Sequence, residues 1–461
     1  GAGISGLATA LLLQQQARAL GRQLSLTVLE EERQVGGKIR SLRSEDGYLC
    51  EWGPNGFLDG KPATLELCRQ LQIEQDLLRS NDNARRRLIY AGERLHRVPE
   101  NAAAFFRSGL ISWPGKLRMA MEIALPPRRD GRDESLADFC RRRLGQQALD
   151  RLVGPMVSGI FAGDPETMSL RSCFPRIHQL ETEYGGLFRA MLRLARQRRA
   201  ARRSGRAVAS ASGPAGVLTS FAGGLQELTD RLQRVLGEQV RVAAEVTALE
   251  PVGNGFQLQL ADGRQLAAEV VVPAVPAYRL AGLVQGFDLE MAKLLEQIPY
   301  APLQVACFGY RRDKITHNLN GFGYLVARPN PMPLLGTLWD SSIFANRAPQ
   351  GKVLLRSMLG GATHPEVAEW DKDRVTVETA AALRRTMGIA AEPDFVQIFS
   401  HPRAIPQYLV GHGQRLEDLK QRAARYRGLF FTGNAFFGIG LNDCVAAAQR
   451  TAEKILQADM A

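Results

Sequence analysis

The sequence is poor in cysteine and histidine, and neither is spaced for metal or disulfide chemistry. Its six cysteines, Cys50, Cys68, Cys140, Cys173, Cys307 and Cys444, are scattered without a CxxC pair. That argues against a disulfide framework and for reduced, structural thiols inside a cell. The six histidines lack metal-ligand spacing. No apolar run reaches the roughly 18 residues of a membrane span, so the chain is not expected to cross a bilayer, although resting on one stays open. No Ser/His/Asp triad or activated cysteine is visible. Acidic residues number 47 against 59 Lys and Arg, leaving a net charge of +12. Such a balance favours anionic partners: small carboxylates, phosphates, lipid head groups or nucleic acid. A chain of 461 residues is too long for one core, so two or three domains are expected.

What is present starts at the first residue. In Gly1-Ala2-Gly3-Ile4-Ser5-Gly6, Gly1 makes a tight turn, Gly3 lets backbone approach a pyrophosphate, and Gly6 lets a helix pack close to its strand. The following helix, read as 7–20 with Leu7, Leu11, Leu12 and Leu20 on one side, points its N-terminus at that pyrophosphate. The run 24–29 reads as a strand, and Glu30 at its end can accept hydrogen bonds from ribose hydroxyls. This order of glycines, helix, strand and acid marks a site for the ADP half of a dinucleotide; the glycines alone are equally a turn before a surface helix. The fold needs a strand before Gly1, so the chain is expected to be clipped upstream, where a targeting segment would be invisible.

Residues 62–150 read as largely helical. The basic run 196–206 and the small residues to about 216 read as a flexible excursion. From Val240 to Val272 the pattern is β, with turn dipeptides Asn254-Gly255 and Asp262-Gly263 and a short buried strand at Val270–Val272. Residues 300–360 alternate strands with Gly/Pro turns, as a curved antiparallel sheet would. Leu429 to Asn434 reads as a buried strand entering a Gly-rich turn, and a helix follows over 442–457. The nucleotide-type segments thus lie at opposite ends of the chain. That interrupted arrangement suits a flavin enzyme better than a nicotinamide dehydrogenase. The fold class expected is mixed α/β and α+β. The expected domains are an interrupted Rossmann-like FAD-binding domain in parts at 1–83, 213–280 and 411–461, a mainly helical membrane-associated and substrate-access domain at 84–212, and a substrate domain with a curved antiparallel sheet at 281–410.

Glu30-Glu31 with Val35-Gly36-Gly37-Lys38-Ile39-Arg40-Ser41 resembles the extended FAD motif of the amine oxidase-like flavoprotein superfamily. Thr432-Gly433-Asn434-Ala435-Phe436-Phe437-Gly438-Ile439-Gly440-Leu441-Asn442-Asp443-Cys444 resembles its C-terminal FAD motif. Further pieces resemble the oxygen-dependent protoporphyrinogen oxidases: the stretch from Glu51 to Phe57, Ser158 to Pro165, Phe174-Pro175 with Glu183 to Gly186, Gly321 to Leu325, and Met358 to Gly361. The resemblance covers nearly the whole length and implies non-covalent FAD. The cofactor contacts it implies are Gly1, Gly3, Ser5, Gly6, Glu30, Glu31, Gly37, Lys38, Gly53, Pro54, Asn55, Gly56, Val246, Asn434, Ile439, Gly440 and Leu441. Lys38 stands where relatives often carry Arg or an aromatic residue; it keeps the charge and loses bidentate geometry. Taken alone, Gly36-Gly37 can also be an exposed β-turn, Gly53 to Gly56 is equally an ordinary turn, Val246 reads as a core strand residue, and Asn442 can at the same time cap its own helix.

The resemblance further implies a porphyrinogen substrate, oxidised to the porphyrin of haem and chlorophyll biosynthesis in three two-electron steps. Hydride passes to the flavin, dioxygen reoxidises it, and no protein acid or base is nominated. Arg87 would hold a propionate through two parallel hydrogen bonds. Gly163, Phe322, Gly323, Leu325 and Met358 would line the substrate slot. Without the family, Arg87 belongs to a solvated Arg triplet and the others to core strands and a turn. Residues 102–125 mix Phe105, Phe106, Leu110, Ile111, Trp113, Leu117, Met119, Met121, Ile123 and Leu125 with Arg107, Lys116 and Arg118, which fits either an interfacial membrane segment or a core helix pair. The implied location is intracellular and peripheral to a membrane: the cytoplasmic face in a bacterium, or a plastid membrane if a transit peptide preceded Gly1. A homodimer is left open. Nucleic acid is not expected, because no helix-turn-helix, RNA-binding or zinc pattern accompanies the charge. Rival readings are a coproporphyrinogen oxidase, an amine oxidase, a carotenoid desaturase, or a non-catalytic basic protein.

Overall fold

The first helix, Ile4–Ala19, and the last, Leu441–Ala458, share one hydrophobic core, which brings the two ends of the chain together. The computed structural model describes residues 1–203 and 216–458. It divides into two units, each built from separated segments: Gly1–Ser80 with Gly216–Pro299 and Gln414–Ala461, and Asn81–Ala215 with Tyr300–Gly413.

In the first unit, Leu7, Leu11 and Leu12 pack against Leu441, Val445, Ala448 and Ile455. The helix begins at Ile4, three residues before the expected start, and Leu20 falls outside it with 55% exposure. Of the expected strand 24–29 only Val28–Leu29 pairs, in parallel, with Val240–Arg241. A three-stranded antiparallel sheet follows from Val246–Val252, Gly255–Leu260 and Gln265–Ala268. Its first turn centres on Gly253 and Asn254, because Val252 pairs with Gly255. Val270–Val272 forms no strand; a single bridge joins Val271 to Leu429, and these residues are only half-buried.

The second unit is organised by a seven-stranded sheet. Tyr300–Arg311 sits between Phe395–Pro406 and Lys352–Gly360, and then come Leu334–Leu338, Gly323–Val326, Arg87–Ala91 and Arg94–Arg97. Every pairing is antiparallel except that of Gly323–Val326 with Arg87–Ala91, which is parallel. The stretch 62–150 therefore contributes strands as well as helices, and Arg87 opens a strand rather than sitting in a turn. On one face Tyr324, Thr337 and Ser357 join through hydroxyl hydrogen bonds, with Tyr324 Oη 2.6 Å from Thr386 Oγ1 of the helix Lys372–Met387. That helix covers this face and closes its core.

The helices of the second unit are pinned by buried charge. Arg143 and Glu122 are fully buried and paired, with Arg143 Nε 2.9 Å from Glu122 Oε1. Glu122 also accepts from the backbone of Leu187 and Phe188, opening the helix Leu187–Arg203. That helix carries most of the basic run expected to be a flexible excursion; residues 204–215 lie outside the described residues.

Candidate functional site

In the first unit the glycine loop meets the second glycine motif. Gly36 N donates to Ala2 O at 2.9 Å, Gly3 and Gly36 form a parallel bridge, and a Cβ on Gly37 would lie 3.5 Å from Gly3 Cα. A Cβ on Gly6 would collide with Gly1 O, and one on Gly1 would lie 2.5 Å from Ala274 O, so close packing fixes both positions. At Gly3 the added Cβ meets nothing within 4 Å. The loop is therefore tight where helix and backbone pack and open at the position expected to face a pyrophosphate.

Glu30, expected at the ribose hydroxyls, lies at the strand end beside the glycine loop. Its carboxylate accepts from Ala2 N at 2.5 Å and from Glu32 N at 3.1 Å, so it braces the glycine loop from the strand end. Glu31 is exposed and faces Arg279 at 3.3 Å. Burial pushes the partly buried Lys38 ammonium down to about 8. The loop after it packs tightly: a Cβ on Gly53 would lie 2.7 Å from Lys38 O, and one on Gly56 would collide with Thr219 O. Pro54 is exposed and Asn55 buried between them. Ser5 is buried and hydrogen-bonded to the Cys444 thiol, which burial raises to about 11. Val246 is half-buried at the start of its strand, paired with Leu260.

Asn434, Ile439 and Gly440 are half-buried in the turn before the last helix, and Leu441 opens that helix. Asn442 does not cap its own helix. Its Oδ1 accepts from Thr64 N at 3.3 Å and its Nδ2 donates to Leu58 O at 3.0 Å, so it caps the helix Pro62–Gln70 instead. The N-termini of two helices therefore converge beside this turn. Open space at Gly3, a partly buried cation at Lys38 and converging helix dipoles fit a phosphate-bearing dinucleotide.

The second unit gathers the other set. Strand register aligns Arg87, Gly323, Leu338 and Arg356 in one row, and Ile89, Leu325, Gly336 and Met358 in the next. The rows are two residues apart on each strand, so they share one face, opposite the Tyr324 face. Arg87 is exposed, and its guanidinium carbon lies 5.5 Å from the Phe322 ring centroid. Leu325, Leu338 and Met358 are half-buried. Arg356 is buried and faces Asp340 at 2.9 Å. A Cβ on Gly159 would lie 2.7 Å from Leu325 Cδ2, which places the helix Gly154–Phe161 against that side chain. Gly163 follows this helix: Arg328 donates to its carbonyl at 3.3 Å and pairs with Asp164 at 2.8 Å. Leu338 was missed from sequence; only its register with Gly323 puts it among these residues. A cavity of about 470 Å³ lined by Arg312, Asn318, Ser341 and Lys352 shares no residue with this group.

Residues 4–456 match the flavin containing amine oxidoreductases, and the chain belongs to that family. It is an oxidoreductase, and FAD is its expected cofactor. The chain is 31% identical to a chloroplastic protoporphyrinogen oxidase of Oryza sativa subsp. japonica, covering 99% of this chain and 87% of that one. It is 29% identical to the coproporphyrinogen III oxidase of Bacillus subtilis (strain 168), covering 96% and 94% respectively. Among solved structures, one from Exiguobacterium sp. 255-15, assigned as a protoporphyrinogen oxidase, superposes with a TM-score of 0.82 at 25% identity, covering 99% of this chain and 97% of that one.

Proposed function

We propose that the chain oxidises protoporphyrinogen IX to protoporphyrin IX, with dioxygen as the final acceptor and hydrogen peroxide as co-product. The single observation that carries the reading is the row geometry of the sheet: one exposed guanidinium, Arg87, at the edge of an apolar strip formed by Leu325, Leu338 and Met358. An apolar tetrapyrrole with carboxylate arms asks for that combination. FAD, when bound, supplies the two-electron acceptor.

The residues have separable tasks. Gly3 leaves room for pyrophosphate, Lys38 balances its charge, Glu30 meets ribose hydroxyls while holding the loop in shape, and Glu31 adds to the cofactor contact. Gly1, Gly6, Gly37, Gly53 and Gly56 let backbone approach, while Ser5, Pro54, Asn55, Val246, Asn434, Ile439, Gly440 and Leu441 complete the cofactor contact. Arg87 grips a propionate, Phe322 orients Arg87, and Gly323, Leu325, Leu338 and Met358 line the apolar strip. Gly163 sits in a loop held by Arg328. The assignment gives 1–83, 213–280 and 411–461 to FAD, 281–410 to substrate binding and 84–212 to membrane contact and substrate access.

Among the described residues no helix is long and apolar enough to cross a membrane. The exposed side chains Phe106, Trp113, Leu117 and Met121 support peripheral contact with a lipid surface. Coproporphyrinogen III remains the second reading, favoured by the full-length similarity to the Bacillus subtilis enzyme. Side-by-side turnover of both porphyrinogens, followed by porphyrin fluorescence, separates the two. A strong preference for the four-carboxylate substrate would overturn the first choice.

A further inference from the structure

We infer that Asp443 and Lys61 together set the reduction potential of the bound flavin. The inference rests on the reading that the turn Gly438 to Leu441 borders the flavin ring. Asp443 is the third residue of the last helix, and its carboxylate pairs with Lys61 Nζ at 2.8 Å. Lys61 is the N-cap residue of the helix Pro62–Gln70 but offers that helix no side-chain cap; Asn442 does so from the other side. The ion pair thus sits where two helix N-termini meet, in a region of positive potential.

The carboxylate also folds back over the turn. A Cβ on Gly440 would lie 2.9 Å from Asp443 Oδ2, and one on Gly438 would lie 2.7 Å from Asp443 Cβ. A negative charge therefore stands against the loop assigned to the ring edge. The two-electron reduced flavin is anionic and the oxidised ring is neutral. Helix N-termini favour the anion, a bare carboxylate opposes it, and the Lys61 ammonium offsets that carboxylate. Each partner then moves the potential in its own direction. As a surface ion pair alone, the contact adds little stability and moves no potential.

The test begins with FAD titration into cofactor-free wild type, followed by midpoint potentials of the bound flavin for wild type, Lys61→Met, Asp443→Asn, the double variant and Lys61→Arg. Both side chains are partly exposed, at 50% and 36%, so the variants are expected to fold, and thermal unfolding checks this. Lys61→Met lowers the potential and Asp443→Asn raises it. Each changes the reduced-to-oxidised ratio about three- to tenfold, or about 14–30 mV for a two-electron couple. The double variant returns towards wild type, and Lys61→Arg preserves it. Wild type that refuses FAD overturns the cofactor reading and this inference with it. FAD that binds with potentials unmoved, or moved the same way by both single changes, overturns this inference alone. An altered FAD affinity at constant potential also overturns it, because it places the pair at the phosphates.

Discussion

Arg87 and Phe322 form one unit: the guanidinium carbon lies 5.5 Å from the ring centroid, and the backbone locks the two together. Phe322 N donates to Arg86 O at 2.8 Å, and the next residue, Gly323, is in parallel register with Arg87. An exposed arginine normally samples many rotamers. Here the aromatic face restricts it, so less entropy would be lost on binding the proposed carboxylate.

Arg87→Ala is expected to raise KM for protoporphyrinogen roughly ten- to a hundredfold, the scale of a charged hydrogen bond worth about 1.5–3 kcal/mol. Phe322→Leu leaves the charge and removes the ring, so a smaller rise is expected, near the ~0.5–1 kcal/mol of an exposed cation–π contact. Steady-state kinetics on both variants checks the order. An unchanged KM in Arg87→Ala would remove the residue from the site.

Two glycines of one motif should fail in different ways. At Gly3 a side chain meets open space, and the backbone (φ −73°, ψ 176°) suits any residue. Gly3→Val is therefore expected to fold with little change in the Tm of the cofactor-free chain, while its FAD affinity falls at least about tenfold, or 1.4 kcal/mol. Gly6→Ala drives its Cβ into Gly1 O, so the first helix must shift and the Tm itself should fall. Parallel melting curves and FAD titrations distinguish the two. Full flavin retention in Gly3→Val would count against the pyrophosphate assignment.

Placed at the phosphates as proposed, Lys38 would give the cofactor site a pH dependence with a definite sign. Burial holds its ammonium at about 8, well below the ordinary lysine range near about 10.4. In the cofactor-free chain the folded state then binds fewer protons than the unfolded one between those values, and this group makes stability rise with pH across that window. A pyrophosphate beside Lys38 restores the charged form. Binding then takes up a proton above pH about 8, and FAD affinity should fall by up to about tenfold per pH unit from there towards 10. Titrations across this range with Lys38→Met as control provide the check. A wild-type slope equal to that of the variant would dissociate Lys38 from the phosphates.

Some of this was legible in the sequence because it is local. The run from Gly1 to Gly6 and the periodic leucines after it carry their own geometry. The pairing of distant ends followed from two half-motifs that each lack a partner. Strand 24–29 was over-read because its length is set by a two-residue partner at Val240–Arg241, far away in the chain. Arg87 stood out only through the family resemblance, because its arginine triplet by itself reads as solvated. Leu338 was invisible because its place depends on register across strands rather than on spacing along one. Asn442 sat at a helix start, and sequence alone does not show that it caps a different helix. Arg143, Arg347 and Arg356 are nearly or fully buried, at 0%, 0% and 1% exposure, against the usual expectation for arginine.

For the proposed lipid contact, the segment 102–125 separates apolar from electrostatic contributions. Leu110, Ile111 and Met119 are buried, whereas Trp113 and Leu117 are each 68% exposed, with Phe106 and Met121 at 54%. Of the three cations Arg107, Lys116 and Arg118, Lys116 is buried, donates to the carbonyls of Phe106 and Ser108, and stacks 4.6 Å from the Trp113 ring. Arg118 donates to the carbonyls of Arg141, Arg142 and Arg143. Only Arg107 of the three stays exposed. Attachment through this segment should therefore rest on burying apolar side chains, each worth about 1.5–3 kcal/mol when fully buried. Leu117→Asp is expected to reduce partitioning onto phospholipid vesicles roughly tenfold or more. Raising the salt should weaken wild-type binding much less, because screening acts on exposed charges. Flotation with neutral and anionic vesicles measures both. Binding that vanishes in high salt and survives Leu117→Asp would move the contact to the basic helix Leu187–Arg203.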